Sequence, residues 1–359
     1  MTRWENYVAA AEKIIDGYDG SLPLHHFLKG FFKQHPYMGS RDRKYISQLV
    51  YAYYRLGNLA KDRSVKDRIL LGSYLCEGKD SEIVKFFHVE APQVSFNDIF
   101  PFVNSLSPDI DPAHFSASFL KQPYLFIRTR KGKHEAIKSK LEVFEEWGPN
   151  TLALPNSTKI DAIITDKSWY EIQDASSQQV GNLFHPKAGE QWWDSCAASG
   201  GKSILLLDKE PKVKLFVSDV RPSIIQNLHQ RFKEAGIRDY TTQVMDLTAP
   251  VSLDRKFDNI ILDAPCSGSG TWGRTPESMT FFKEEQIRTY QDLQMKIAGN
   301  VIKHLKPGGS LIYITCSVFK QENEDVVTFL ESKGLTKQEG GVIAGYEKGA
   351  DSMFAVRLS

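Results

Sequence analysis

Residues 257–277, Phe257 to Glu277, read FDNIILDAPCSGSGTWGRTPE. The apolar run Asn259-Ile260-Ile261-Leu262 has the length and composition of a buried strand. It leaves the sheet through a carboxylate, a proline and a thiol, Asp263-Ala264-Pro265-Cys266, and enters a glycine-rich loop, Ser267-Gly268-Ser269-Gly270. In an open α/β sheet, ligands bind beyond the carboxyl ends of the strands. This loop is therefore expected to form the floor of an active site, with a second thiol, Cys316, facing it.

The sequence around this stretch alternates strand and helix from about Gly189 onwards, the pattern of a parallel sheet with crossover helices. Strands are expected at 191–195, 215–219, 242–245, 259–262 and 311–315. Helices are expected at 202–207, 222–235 and 284–305, the last stopped by Lys306-Pro307-Gly308-Gly309. Pro222 suits a first helical turn and Gly236 a stop. Residues 341–358 read as two further strands closing the sheet edge. The fold class is α/β.

The first of these strands ends in Asp194-Ser195-Cys196-Ala197-Ala198-Ser199-Gly200-Gly201-Lys202. A small-residue turn into a helix lets backbone N–H groups approach a ligand. It matches neither G-x-G-x-x-G nor the P-loop, so it indicates neither a dinucleotide nor a P-loop nucleotide. The next strand ends at Asp219, about 20 residues on, where an acid typically holds a ribose diol. Asp246 and Asp263 end the two strands after it. Three successive strand-end acids beside such a turn fit a nucleoside-bearing cofactor.

Cys266 and Cys316 follow neighbouring strands, which puts them at one edge of the sheet. A free cysteine is commonly just a small buried apolar residue. A pair beside a cofactor pocket instead suits chemistry that needs a sulfur nucleophile. The C5 carbon of a cytosine or uracil is unreactive until a group adds to C6. A thiolate can make that addition, and the resulting enamine can take a methyl group at C5. An acid hydrogen-bonded to N3 would favour the addition, and Asp263 is placed for it. Spacing alone does not choose between the two thiols.

Composition sets the outer limits. With 359 residues, 41% hydrophobic and 25% charged, the chain is an ordinary globular one of two or three domains. No apolar run approaches the ~20 residues of a membrane helix and the start resembles no signal peptide, so no membrane partner is expected and the compartment is read as cytoplasmic. The four cysteines are far apart with no C-x-x-C, which points to reduced thiols and no metal site. The net charge of +1 hides a basic front. Residues 1–72 hold 12 Lys and Arg against 7 acids, and residues 121–140 hold 7 against Glu135 alone. Such an imbalance suits a polyanion, although charge runs are often only solvated faces.

The first ~75 residues read as helices. Trp4, Tyr7, Val8, Ala11, Ile14 and Ile15 form one helical stripe. A second apolar segment covers 24–32, Ser40 is expected to cap a third helix, and 64–76 suits a fourth. Residues 91–123 read as a linker with short helices. Then come a strand at 124–130, a helix at 134–147, and strands at 151–154 and 162–164, with Arg128, Arg130, Lys131 and Lys133 crowded at one strand end.

The run DSCAASGGK, Asp219, Asp246, DAPCSGSG, and TCS followed by QENED resemble in order and spacing the RsmB/Sun family of S-adenosylmethionine-dependent RNA 5-methylcytosine methyltransferases. Gln173-Asp174-Ala175-Ser176-Ser177 also resembles that family's segment ahead of the cofactor loop. The resemblance covers 124–359. It implies a Rossmann-like class I methyltransferase domain, mostly parallel with a C-terminal antiparallel edge. By it, Cys316 is the nucleophile attacking C6, Cys266 serves product release and Asp263 contacts the target base. The cofactor, S-adenosyl-L-methionine, is held by Cys196, Ala197, Ala198, Ser199, Gly200, Gly201 and Lys202 with Asp219, Asp246 and Asp263, and Lys202 also reaches the catalytic pocket. Two positions depart from the family pattern: Ser199 stands where proline is usual, and Ile224 where an arginine is, with Arg221 nearby.

Residues 1–105 resemble a divergent NusB-like RNA-binding domain with a linker, 106–170 an RRM-like module, and 171–359 the catalytic domain. The implied partner is RNA, chiefly 16S ribosomal RNA of the small subunit. Transfer RNA is the nearest alternative, and a non-catalytic RNA-binding or ribosome-assembly factor a further one. Methylation of exocyclic amines would need an Asn/Asp-Pro-Pro-aromatic turn, and Asp263-Ala264-Pro265-Cys266 is not one. Nothing in the sequence sets the oligomeric state.

Overall fold

In the structure, a computed structural model describing residues 2–91 and 93–359, the amphipathic segments of the N-terminal region become helices. The chain divides into two units, 1–104 with 111–122 and 271–284, and 105–110 with 123–270 and 285–359. The first unit holds α1 (Arg3–Gly17), α2 (Leu24–Gln34), α3 (Ser40–Arg55), α4 (Val65–Glu77), α5 (Glu82–Phe86), α6 (Pro112–Ser118) and, from late in the chain, α12 (Ser278–Phe281). A capping box starts α1: Glu5 N–H donates to Thr2 Oγ1 (3.4 Å), and Thr2 N–H donates back to Glu5 Oε2 (2.6 Å). The stripe from Trp4 to Ile15 is buried against Leu28, Phe32, Ile46, Leu49 and Val50. Ser40 does not cap α3. Gly39 occupies that place, and Asp42 Oδ2 accepts its N–H (2.8 Å).

The second unit begins with a small antiparallel sheet. Its elements are β1 (Leu125–Thr129), α7 (His134–Lys138), β2 (Glu145–Gly148), β3 (Thr151–Leu154), α8 (Ile160–Ile163) and β4 (Tyr170–Ile172), with strand order β2-β3-β1-β4. Two expectations fail here. The helix expected over 134–147 stops at Lys138, and its far end is strand β2. Ile137, Leu141 and Phe144 do face the core, but Glu145 and Glu146 pair with Ala153 and Leu152. The strand expected at 162–164 lies at the end of α8, because Ile160 and Ile164 share one buried face while Ile163 is exposed. Strand β4 was not anticipated.

After α9 (Ala175–Gln179) come β5 (Gln191–Asp194), α10 (Gly201–Lys209), β6 (Lys214–Asp219), α11 (Pro222–Glu234), β7 (Tyr240–Val244), β8 (Phe257–Asp263), α13 (Glu285–Val301), β9 (Leu305–Thr315), α14 (Glu324–Glu331), β10 (Lys337–Ile343) and β11 (Met353–Leu358). The seven strands run β10-β11-β9-β8-β5-β6-β7, parallel from β9 to β7 and antiparallel at the β10–β11 edge. Alternate side chains point to opposite faces, and both faces are apolar. Trp192, Leu215, Val217, Ile261 and Ile312 pack on one side with Leu206, Leu228 and Phe232; Trp193, Phe216, Ile260, Leu262 and Tyr313 pack on the other with Ile297 and Val326. Lys306–Gly309 does not separate helix from strand. It bulges inside β9, whose pairing with β8 jumps from Phe257↔Leu305 to Asn259↔Ser310, while Lys306 Nζ holds Asp258 (2.9 Å). Among the described residues no helix is long and apolar enough to cross a membrane.

Candidate active site

Strands β5, β6 and β8 lie side by side and end on Asp194, Asp219 and Asp263, so three carboxyls converge at one edge of the sheet. The turn after β5 is tightly bent. Ala198 has φ +46° and Gly200 φ +85°, and the left-handed region is costly for alanine, by about 1–2 kcal/mol. Gly200 is required twice over, since a Cβ there would lie 2.4 Å from the Phe232 ring. Ala198 N–H donates to Asp219 Oδ2 (3.0 Å), fastening the turn to β6. Burial alone would raise the Asp219 pKa. Hydrogen bonds from the Arg221 side chain and N–H and from Ala198 N–H outweigh it and hold the carboxylate below its ordinary range.

Asp194 is wholly buried. It accepts from Ser203 Oγ (2.7 Å), its Oδ1 has no hydrogen-bond partner, and burial pushes its pKa up to about 7. Lys202 reaches across from α10 to Asp263 Oδ2 (3.0 Å). Cys196 lies under the turn, where burial drives its thiol far above the ordinary value.

Cys266 Sγ and Cys316 Sγ are 3.2 Å apart. The hydrogen bond with Cys316, followed by burial, raises the Cys266 pKa well above that of a free thiol. Tyr290 on α13 is near them: burial first, then the charges of Cys266, Glu322 and Cys316, raise its phenol pKa.

A buried carboxyl holds both thiol-bearing loops from below. Glu322 accepts from Ser267 N–H (2.9 Å), Gln294 Nε2 (2.9 Å) and Ser317 Oγ (2.7 Å), and Gln294 also donates to Pro265 O (2.9 Å). Asn323 accepts from Thr315 Oγ1 (2.6 Å) and donates to Ser317 O (2.9 Å). Gly270 N–H donates to Cys316 O (2.9 Å), and a Cβ on Gly270 would lie 1.9 Å from Ser352 O.

The structure thus places Cys196, Ala197, Ala198, Ser199, Gly200 and Gly201 in one turn, ties Asp219 to it, pairs Lys202 with Asp263 and sets Cys266 against Cys316. Asp246 stands apart. It lies two residues beyond β7, exposed, and accepts from Thr248 N–H and Oγ1 (2.8 and 2.7 Å). The stretch 257–277 is also divided, since from Thr271 the chain belongs to the helical unit, where Glu277 Oε1 accepts from Leu24 N–H (3.2 Å). Sequence reading gave no role to Asp194, Gln294, Glu322 or Asn323. For Glu322 and Asn323 the available signal was the polar run Gln321–Asp325 a few residues after an apolar strand.

A mostly parallel sheet, an antiparallel C-terminal edge and strand-end acids around a small-residue turn define a class I methyltransferase fold. Solved structures agree in fold. PH0851 matches all of the chain and 99% of its own length (TM-score 0.74, 18% identity), and a methyltransferase homolog from Pyrococcus horikoshii matches 71% and 92% (0.60, 21%). Residues 182–341 match the family model described as 16S rRNA methyltransferase RsmB/F. Ribosomal RNA small subunit methyltransferase B of Citrobacter koseri is 30% identical over 224 residues, 59% of this chain and 52% of that protein. The same enzyme of Erwinia tasmaniensis is 29% identical over 260 residues, 66% and 60%. The chain thus spans between half and two thirds of the length of these relatives.

Proposed function

We propose that this protein is an S-adenosylmethionine-dependent RNA cytosine-C5 methyltransferase acting on 16S ribosomal RNA. The observation that carries the reading is the thiol pair, 3.2 Å apart at the carboxyl edge of the sheet beside Asp263 and the small-residue turn. Cys316 is the attacking thiol. Its thiolate adds to C6 of the cytosine, and Asp263 at N3 favours that addition. Bound S-adenosylmethionine supplies the methyl group that C5 accepts. A base then takes the C5 proton, the C–H electrons re-form the C5–C6 double bond as the C6–sulfur bond breaks and returns the thiolate, and Cys266 serves this release step. The turn from Cys196 to Gly201 and Asp219 would hold the cofactor, and Lys202 would orient Asp263; Asp246, exposed in its turn, has the weakest structural support among the cofactor contacts.

A base inside a duplex hides C5 and C6, so the target must be unpaired or flipped. Residues 1–105 and 106–170 are read as the NusB-like and RRM-like parts that hold the surrounding RNA. Arg128 and Arg130 do not contribute to that grip, because both pair with Asp208. Exposed Lys131 and half-buried Lys133 remain for it.

The test is transfer of labelled methyl from S-adenosylmethionine to 16S RNA, small-subunit particles and transfer RNA, followed by digestion to nucleosides. Label in 5-methylcytidine from the first two is expected. Label only from transfer RNA would move the substrate, and label in another nucleoside would overturn the chemistry.

A further inference from the structure

The turn that would hold the cofactor is fixed from behind by a side chain that neither the thiol chemistry nor the strand-end acids involve. Arg231, on α11, donates through Nη1 to Ser199 Oγ (2.8 Å) and through Nε to Glu171 Oε2 (2.9 Å). Glu171, on β4, is 6% exposed, and its Oε2 is 2.7 Å from Arg231 Nη2. A Cβ on Gly201 would meet Arg231 Nη1 at 3.6 Å, so the guanidinium lies against the turn as well as at its serine. Ser199 sits between Ala198 and Gly200, both left-handed. A hydroxyl held from outside is what keeps such a bend from relaxing, because the strained Ala198 conformation persists only when its surroundings over-determine it.

The small sheet is braced onto the same layer at a second point. Arg128 and Arg130 from β1 both pair with Asp208 near the end of α10, the helix that begins at this turn, and Arg130 also donates to Ala235 O at the end of α11.

We propose that Arg231, oriented by Glu171, is a positioning residue for the cofactor turn: it holds Ser199 so that the backbone from Ala197 to Gly201 keeps the shape S-adenosylmethionine needs before it arrives. This rests on the function proposed above. The small sheet then has a part in cofactor affinity as well as any part in holding RNA. Arg231 acts through Ser199, and loss of the hydroxyl should weaken cofactor binding without touching the thiols.

The clean variant is Ser199→Ala, which removes one hydroxyl and leaves the Arg231–Glu171 pair intact. Arg231→Ala leaves Glu171 buried and unpaired, so part of its effect is on folding. For the full chain, S-adenosylmethionine affinity is read by calorimetry, kcat and KM by methyl transfer, and Tm by melting. Ser199→Ala should weaken affinity and raise the cofactor KM by about tenfold, the scale of one charge-assisted hydrogen bond, with the loss falling on KM far more than on kcat. Ser199→Ala with Arg231→Lys should bind no more weakly than the weaker single variant, since both break the same hydrogen bond. Wild-type affinity in Ser199→Ala, or losses that multiply in the double variant, would overturn the clamp. An unmodified chain that binds no S-adenosylmethionine would remove the functional reading itself, and the clamp's role with it.

Discussion

Burial pushes the Asp194 carboxyl up to about 7, with Asp263 and Asp219 adding repulsion against the hydrogen bond from Ser203. A carboxyl raised on folding contributes stability that is fully present below its unfolded pKa and is lost as pH rises through the folded one. That window runs from roughly pH 4 to about pH 7. Asp194→Asn carries no such charge, so its stability relative to wild type should climb across this window and level off above it. Melting curves at successive pH values check this, and a difference that stays flat would contradict the buried, proton-retaining Asp194. At the same scale the sequence was partly legible. Asp219 and Asp263 were readable because they end apolar strands next to a small-residue turn. Asp194 opens the same turn, yet its depth depends on β5 lying in the middle of the sheet, which no local pattern reveals.

At the level of elements, the two thiol loops are held together by the segment between β9 and α14. Glu322 has no exposure and receives three donors from three places in the chain, Ser267, Gln294 and Ser317. Replacing it with alanine removes the acceptor that all three share in a dry setting. Glu322→Ala should therefore lose about 2–4 kcal/mol in denaturant unfolding and most of its methyl transfer, while Glu324→Ala next door loses less of both. Equal losses would mean that the segment packs without specific support. The parallel strands and their crossover helices were legible, because apolar runs bounded by Gly, Pro and Asp have few alternatives. The small sheet was less so. The shared face of Ile137, Leu141 and Phe144 is plain in the sequence, but helical spacing says only which residues turn inward, and pairing of Glu145 and Glu146 with β3 converts the far end into a strand.

Across the whole molecule, charge read from sequence and charge available to a partner differ. Arg55 is buried, donating to Phe119 O, Lys121 O, Gly273 O and Gln122, and Arg68 donates to Gly57 O. With Arg128 and Arg130 committed to Asp208, the basic front presents fewer cations than its count suggests. Lys131→Ala with Lys133→Ala should weaken RNA binding and flatten its salt dependence by up to about 0.7 for each phosphate no longer neutralised, with little change in Tm. Arg128→Ala should lower Tm first, because it strips a partner from Asp208. The reverse pattern in salt titrations and melts would put the arginines on the RNA.

The central claim is the division of labour between two touching thiols, with Cys316 attacking and Cys266 letting the product go. It is tested most directly by incubating Cys266→Ala, Cys316→Ala and the double variant with S-adenosylmethionine and a confirmed RNA substrate, then running denaturing gels. Cys266→Ala should accumulate a denaturant-resistant protein–RNA adduct that Cys316→Ala and the double variant do not form, and Cys316→Ala should bind cofactor normally while transferring no methyl. An adduct in Cys316→Ala, or full methyl transfer by that variant, would contradict the assignment.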